Sequence, residues 1–133
     1  MSKSRIVLSF GVVAFIACCL PGCYKVTTFI ENNGTEVTEV VSLTKDIQPV
    51  FNNSCSISGC HNSGGIKPNL SEGNSYNSLS NGGYVNTGSP EASGIYLWLA
   101  GKRATPMPPA GPANPSNINQ LVLAWIKQGA NNN

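Results

Sequence analysis

The stretch INQLVLAWIKQG, residues 118–129, decides the fold class predicted for this chain. Its large apolar residues stand at positions 118, 121, 122, 125 and 126, which is the i, i+3, i+4, i+7, i+8 spacing of one helix face. Gly129 follows the last of them, as is common where a helix ends. The pattern therefore predicts a C-terminal helix with one apolar face.

Three segments upstream also have helical signals. The first has Thr44 as its predicted N-cap and is kept short or kinked by Pro49. A second, weaker segment covers residues 71–79, and a third begins with Ser89 as N-cap and ends at Gly101. The 14 glycines and 9 prolines among 133 residues leave much of the chain as loop. We therefore predict an all-α, loop-rich domain of three to four short helices.

Residues 1–22 have the pattern of an export signal peptide. Two positive charges precede an apolar run over residues 6–20, which is shorter than the roughly 20 residues that span a bilayer. The run leads into LPGC, residues 20–23, which resembles the lipobox of bacterial lipoproteins. The resemblance implies cleavage before Cys23 and a lipid on its thiol. The alternatives are an uncleaved signal anchor and ordinary cleavage near Ala17.

The segment between the predicted lipid and the first helix, residues 23–43, is expected to be a tether. Its Asn-Asn-Gly sequence at residues 32–34 would allow a hairpin, but nothing follows to cover one, and a lone hairpin is marginally stable. The folded domain is therefore expected to cover residues 44–133.

Charge restricts the partners that the chain can have. Lys3 and Arg5 account for the whole formal net charge of +2, so the chain without its leader is neutral and has no long run of one sign. Because nucleic-acid binding needs a basic patch, we expect no nucleic-acid partner. The membrane is an expected partner, through the lipid on Cys23.

The sequence CSISGCH, residues 55–61, holds the only histidine and the two cysteines that lie beyond the predicted lipid. This C-x4-C-H motif resembles the attachment site of c-type haem, where two thiols form thioethers with the haem and the adjacent histidine ligates the iron. The resemblance implies covalent haem c on Cys55 and Cys60, with His61 as an axial ligand. The common spacing is C-x2-C-H, so this loop has two extra residues.

Three other kinds of site could use the cysteines and histidine of this motif. A disulfide between Cys55 and Cys60 beside a surface histidine is an open alternative, because exported proteins form disulfides readily. A structural zinc site needs four ligands, and two cysteines and one histidine supply three. A thiol enzyme would need a base, but there is no second histidine and no acidic residue near the motif.

The second axial ligand follows by elimination if His61 binds haem iron. No other imidazole exists, and Met1 leaves with the signal peptide, so Met107 is the one thioether in the mature chain. It lies in TPMPP, residues 105–109, where three prolines make a stiff loop that holds sulfur at a fixed point. The alternative is that Met107 fills a gap in the core.

The order of these features resembles class I c-type cytochromes over roughly residues 44–130. In that family an N-terminal helix leads into the haem motif, a Pro-x-Leu segment and a methionine loop follow, and a C-terminal helix packs across the first. The resemblance implies that the Pro68 carbonyl accepts the proton of the free His61 nitrogen and that Leu70 packs on the haem face. An ordinary turn is the alternative for this segment.

A closer resemblance is to small monohaem domains of bacterial lipoproteins. Four ordered segments carry it, besides the cysteine motif: residues 45–49, 84–93, 107–109 and 125–130. The resemblance implies a membrane-tethered cytochrome c that faces the periplasm and transfers electrons to a redox partner protein.

We therefore expect an electron carrier and not an enzyme, because no proton-transferring group other than His61 is identified. A haem enzyme or gas sensor would need an open sixth position, and Met107 argues against one. The competing hypothesis is a haem-free interaction lipoprotein with a Cys55–Cys60 disulfide.

Overall fold

The computed structural model describes residues 37–109 and 117–133. Within them the chain is helical and contains no strand, which confirms the predicted all-α, loop-rich class. The predicted signal peptide, Cys23 and the possible hairpin lie outside the described residues. No helix in the described part is long and apolar enough to cross a membrane.

The described residues form four α-helices, two of which follow a turn of another helical type. They are α1 (Gln48–Ser54, continuous with a π-helical turn, Leu43–Ile47), α2 (Ser75–Asn81), α3 (Gly94–Leu99, after a 3-10 turn, Pro90–Ala92) and α4 (Ile118–Lys127).

The first helical segment is capped by Ser42, so the prediction of Thr44 as its N-cap is wrong. Ser42 Oγ accepts a hydrogen bond from the Lys45 amide at 3.2 Å, and Asp46 Oδ2 accepts one from the Ser42 amide at 2.7 Å. This reciprocal pair satisfies two donors of the first turn. The Thr44 hydroxyl instead donates to the Asn133 carbonyl at 2.6 Å.

Helix α4 forms where its periodicity predicts, and it is the centre of the core. Ile118, Val122, Trp125 and Ile126 are buried, while Leu121 packs against the core half-buried. Burying side chains of this size contributes about 1.5–3 kcal/mol each, so one apolar face is enough to hold the helix in place. The helix ends before a glycine with φ of +100°, a backbone conformation that other residues adopt only with strain.

The predicted third helix is split in the structure. Pro90–Ala92 form the 3-10 turn, Ser93 is extended with φ −61° and ψ 131°, and α3 starts only at Gly94. The buried Ser93 hydroxyl accepts a hydrogen bond from the Asn86 amide at 2.9 Å, which favours the extended conformation over a continued helix.

Helix α2 begins later than the sequence predicts. Residues 71–74 form turns, and regular helix starts at Ser75. Leu79 is its fully buried side chain, and the helix ends at Asn81, as the two glycines after it predict. The short length of α2 fits its weak pattern, in which few positions are apolar.

Packing begins before residue 44, within the segment that the sequence assigns to the tether. Val37, Val41 and Leu43 are buried members of the core. The Val41 amide also donates to Gln128 Oε1 at 2.9 Å, next to the end of α4. The folded unit therefore includes residues 37–43.

Candidate functional site

One cavity brings together five of the six residues predicted for the haem site: Cys55, His61, Pro68, Leu70 and Met107. Its volume is about 230 Å³. This is below the roughly 300–1,000 Å³ that is typical of sites for small molecules and cofactors. The other lining residues are mostly apolar or aromatic: Phe51, Ile66, Lys67, Tyr84, Ile95, Trp98 and Leu99.

The cysteine motif folds into a closed loop at the end of α1. Cys55 is the C-cap residue of that helix, and its carbonyl accepts a hydrogen bond from the His61 amide at 3.0 Å. Inside the loop, the Cys60 amide donates to the Ile57 carbonyl at 3.0 Å, and Gly59 takes a φ of +80°. The two extra residues of the motif are thus accommodated in a hydrogen-bonded turn, and the histidine is held close to the first cysteine.

Both cysteines are free thiols in the structure, Cys55 buried and Cys60 half-buried. Burial, followed by the proximity of Cys60, raises the pKa of the Cys55 thiol to about 11. A thiol with this pKa is protonated at neutral pH, and so it is a poor nucleophile and a poor thiolate ligand for zinc. Cys60 is the one predicted haem-site residue that does not line the cavity.

The ring of His61 has its two nitrogens in different situations. Nδ1 lies 3.1 Å from the carbonyl oxygen of Pro68 and 3.1 Å from that of Ile66. Carbonyl oxygens only accept hydrogen bonds, so Nδ1 carries the proton, and in the neutral ring Nε2 bears the lone pair. This is the tautomer that ligates a metal through Nε2. The Pro68 contact is the one that the cytochrome resemblance implies.

Residues 68–70, which follow the haem motif, are held in place by hydrogen bonds from two of their backbone amides. The Leu70 amide donates to the His61 carbonyl at 2.7 Å, and the Asn69 amide donates to Ser78 Oγ of α2 at 2.7 Å. Pro68 and Leu70 are both buried. The segment thus supplies the histidine with an acceptor and the cavity with an apolar wall.

Met107 approaches the cavity from the loop that follows α3. It is half-buried, lines the cavity and does not belong to the buried core cluster of the described residues. Its amide donates to the Trp98 carbonyl in a long hydrogen bond of 3.5 Å. Residues 110–116, which connect this loop to α4, lie outside the described part.

Aromatic rings form part of the cavity wall, and the sequence analysis assigned none of them to the site. Tyr84 and Trp98 have ring centroids 6.3 Å apart and both line the cavity. The Arg103 guanidinium lies 5.0 Å from the Trp98 ring centroid, a cation–π distance. Tyr84 lies on a loop and Trp98 on α3, and the sequence does not show that folding brings the two rings together.

The donor set fits a haem better than a bare metal ion. No group of three or more His, Cys, Asp or Glu side chains in the described part of the chain could hold a metal ion. The cavity instead offers one imidazole nitrogen, one thioether and one of the two thiols that a c-type haem site uses, among apolar walls.

No protein-family model, curated protein or solved structure matches this chain.

Proposed function

We propose that this protein is a monohaem c-type cytochrome that transfers electrons. Cys55 and Cys60 would bind the haem covalently, and His61 and Met107 would be its axial ligands. The observation that carries the proposal is the hydrogen bonding of His61: its Nδ1 hydrogen is shared by the Pro68 and Ile66 carbonyls, which leaves Nε2 to bind a metal, and His61 and Met107 line the same cavity.

The haem, when bound, supplies the one-electron redox chemistry. The chain contributes the ligands, their orientation and the surroundings. The hydrogen bond from Nδ1 to a carbonyl fixes the imidazole and raises its basicity. The apolar walls exclude water, and a thioether ligand favours the reduced state, so both raise the reduction potential compared with an exposed site that has two histidine ligands.

An electron carrier accounts for the ligand set better than an enzyme. With His61 and Met107 on the two axial positions, no coordination position would be left for a substrate. Ile66 lines the cavity and is 63 % exposed, so the cavity reaches the protein surface. A partner protein could therefore approach closely enough for electron transfer, and such encounters need only a small interface.

We further propose that the domain is held at a membrane by a lipid on Cys23 and faces the periplasm. The support is the charged and apolar leader that ends in LPGC at residues 20–23. The redox partner would then be another exported or membrane protein.

The test is a visible absorption spectrum of the full chain, expressed together with a cytochrome c maturation system. We expect haem bands that stay with the protein after acid-acetone extraction. Replacing Cys55 and Cys60 by Ser should abolish them, while Ser56→Ala with Ser58→Ala, in the same loop, should keep them. A colourless wild-type protein would reject the proposal and favour the haem-free lipoprotein with a Cys55–Cys60 disulfide.

A further inference from the structure

The side chain of Gln48, in the first turn of α1, is a buried amide with all of its hydrogen-bonding atoms engaged. It is 5 % exposed. Nε2 donates to the Leu70 carbonyl at 2.9 Å and to Asn52 Oδ1 at 2.8 Å, while Oε1 accepts from the Ser75 hydroxyl at 2.5 Å. Burying an amide costs free energy unless it is fully bonded, and a well-packed apolar side chain would serve the core at least as well. A polar group at this position therefore calls for an explanation other than packing.

Gln48 bonds to the segment that faces His61. Leu70, whose carbonyl it holds, donates its own amide to the His61 carbonyl at 2.7 Å. Two residues earlier, the Pro68 carbonyl lies 3.1 Å from His61 Nδ1, which the Ile66 carbonyl also approaches to 3.1 Å. The intervening Asn69 amide is bonded to Ser78. A short segment fixed at these points has little freedom to turn the Pro68 carbonyl away.

We propose that Gln48 is a positioning residue for the axial histidine: by holding the Leu70 carbonyl, it keeps the Pro68 carbonyl aligned with His61 Nδ1. This inference rests on the proposed function, because it assigns to Gln48 an effect on a haem ligand. The effect is indirect, since the bonds of Gln48 are to Leu70, Asn52 and Ser75. Its consequence is electronic: an imidazole that donates a firm hydrogen bond is a more basic ligand and favours the oxidised haem.

The experiment compares three variants of the full chain with haem attached. Gln48→Leu removes the amide while keeping a side chain of similar size. Ser75→Ala is milder, because it removes one partner of Gln48 and leaves its bond to Leu70 in place. Ser93→Ala is the matched control, a buried hydroxyl whose hydrogen bonds go to Asn86. The readouts are the hydrogen exchange of the Leu70 amide and the reduction potential of the haem.

In Gln48→Leu, we expect the Leu70 amide to exchange at least about tenfold faster than in the wild type, because local opening becomes easier. The reduction potential should rise, since a less basic imidazole stabilises the oxidised state less. Ser75→Ala should change both in the same direction by less, and Ser93→Ala should change neither.

The results also separate this inference from the proposed function. If wild-type protein carries no haem, both are rejected. If haem is attached but Gln48→Leu resembles Ser93→Ala in both readouts, the positioning role alone is rejected. If Gln48→Leu fails to fold, Ser75→Ala decides, and the absence of any change in it rejects the positioning role.

Discussion

At the scale of single residues, the proposed haem binding depends on how the side chains of His61 and Met107 are oriented. The histidine is oriented by its hydrogen bond to the Pro68 carbonyl, so its binding atom is determined by the backbone. The methionine stands in a proline-rich loop and borders the same cavity. If Met107 binds haem iron as proposed, such a stiff loop would favour the weak iron–sulfur bond, because little conformational entropy would be lost when the bond forms.

Met107→Ala should leave haem attached through Cys55 and Cys60 but open the iron to water or carbon monoxide. We also expect a lower reduction potential, because loss of the thioether removes stabilisation of the reduced state. Visible spectra with and without carbon monoxide, together with a redox titration, check this. Thr105→Ala, in the same loop, is the control. Carbon monoxide binding by the wild type as readily as by Met107→Ala would show that Met107 is only a loop residue.

Three of the predicted residues that line the cavity, Cys55, His61 and Met107, could be found from the sequence because their types are rare. Pro68 and Leu70 were predicted only from the family resemblance. The chain has one histidine and five cysteines, and Met107 is the only methionine outside the predicted leader. The rarity of a residue type does not predict which side chains form the cavity wall or hold the proposed ligands in position. Gln48 and Trp98 lie on helices and Tyr84 on a loop, and only tertiary packing brings them to the site.

At the scale of helices, the sequence predicts segments with regular apolar spacing well. It does not predict segments in which a side-chain hydrogen bond competes with helix formation. Helix α4 has five apolar positions in register, so packing determines it. The break at Ser93 comes from one side-chain hydrogen bond to Asn86, which periodicity does not detect. The first N-cap is not where the sequence predicts it because Ser42 and Thr44 are both good capping residues, and only their tertiary and local hydrogen bonds, to Lys45, Asp46 and Asn133, distinguish them.

Ser42→Ala should lower the free energy of unfolding by about 1 kcal/mol, the typical cost of losing an N-cap. The loss follows from the bond between the Ser42 hydroxyl and the Lys45 amide. Chemical denaturation measures it, with Lys45→Ala, an exposed change in the same turn, as the control. Equal stability of the two variants would count against the capping role.

At the scale of the whole molecule, the folded unit extends closer to the leader than the sequence indicates. Val41 is 3 % exposed, whereas its neighbour Val40 is 83 % exposed. The chain's last residue, Asn133, accepts hydrogen bonds from Ser42 Oγ at 2.9 Å and from the Leu43 amide at 2.9 Å. The sequence did not predict this contact between residues 41–43 and the C-terminal residues. An alternation of apolar and polar residues over so few positions is also typical of an exposed, extended segment.

Val41→Ala should destabilise the protein by about 2 kcal/mol, since it removes two buried methyl groups and leaves a cavity. Val40→Ala makes the same chemical change on an exposed side chain and should cost less than about 0.5 kcal/mol. Thermal or denaturant unfolding of both variants measures the difference. Similar values would place residue 41 in the tether after all.

Cys23→Ser should release the protein from membranes while keeping the haem spectrum, because the site lies in the folded domain. Fractionation of cells and spectra of the soluble fraction check this. Cys19→Ser, within the same leader, is the control and should stay at the membrane. Wild-type protein that is already soluble would contradict lipidation at Cys23.

Covalent attachment of haem is the central claim, and intact mass spectrometry after acid-acetone extraction tests it most directly. We expect a mass equal to the lipidated mature chain plus one haem, because thioethers at Cys55 and Cys60 survive an extraction that removes unattached haem. A mass equal to the apoprotein would contradict it. A mass two hydrogens below the apoprotein would also contradict it, and would identify a Cys55–Cys60 disulfide in its place.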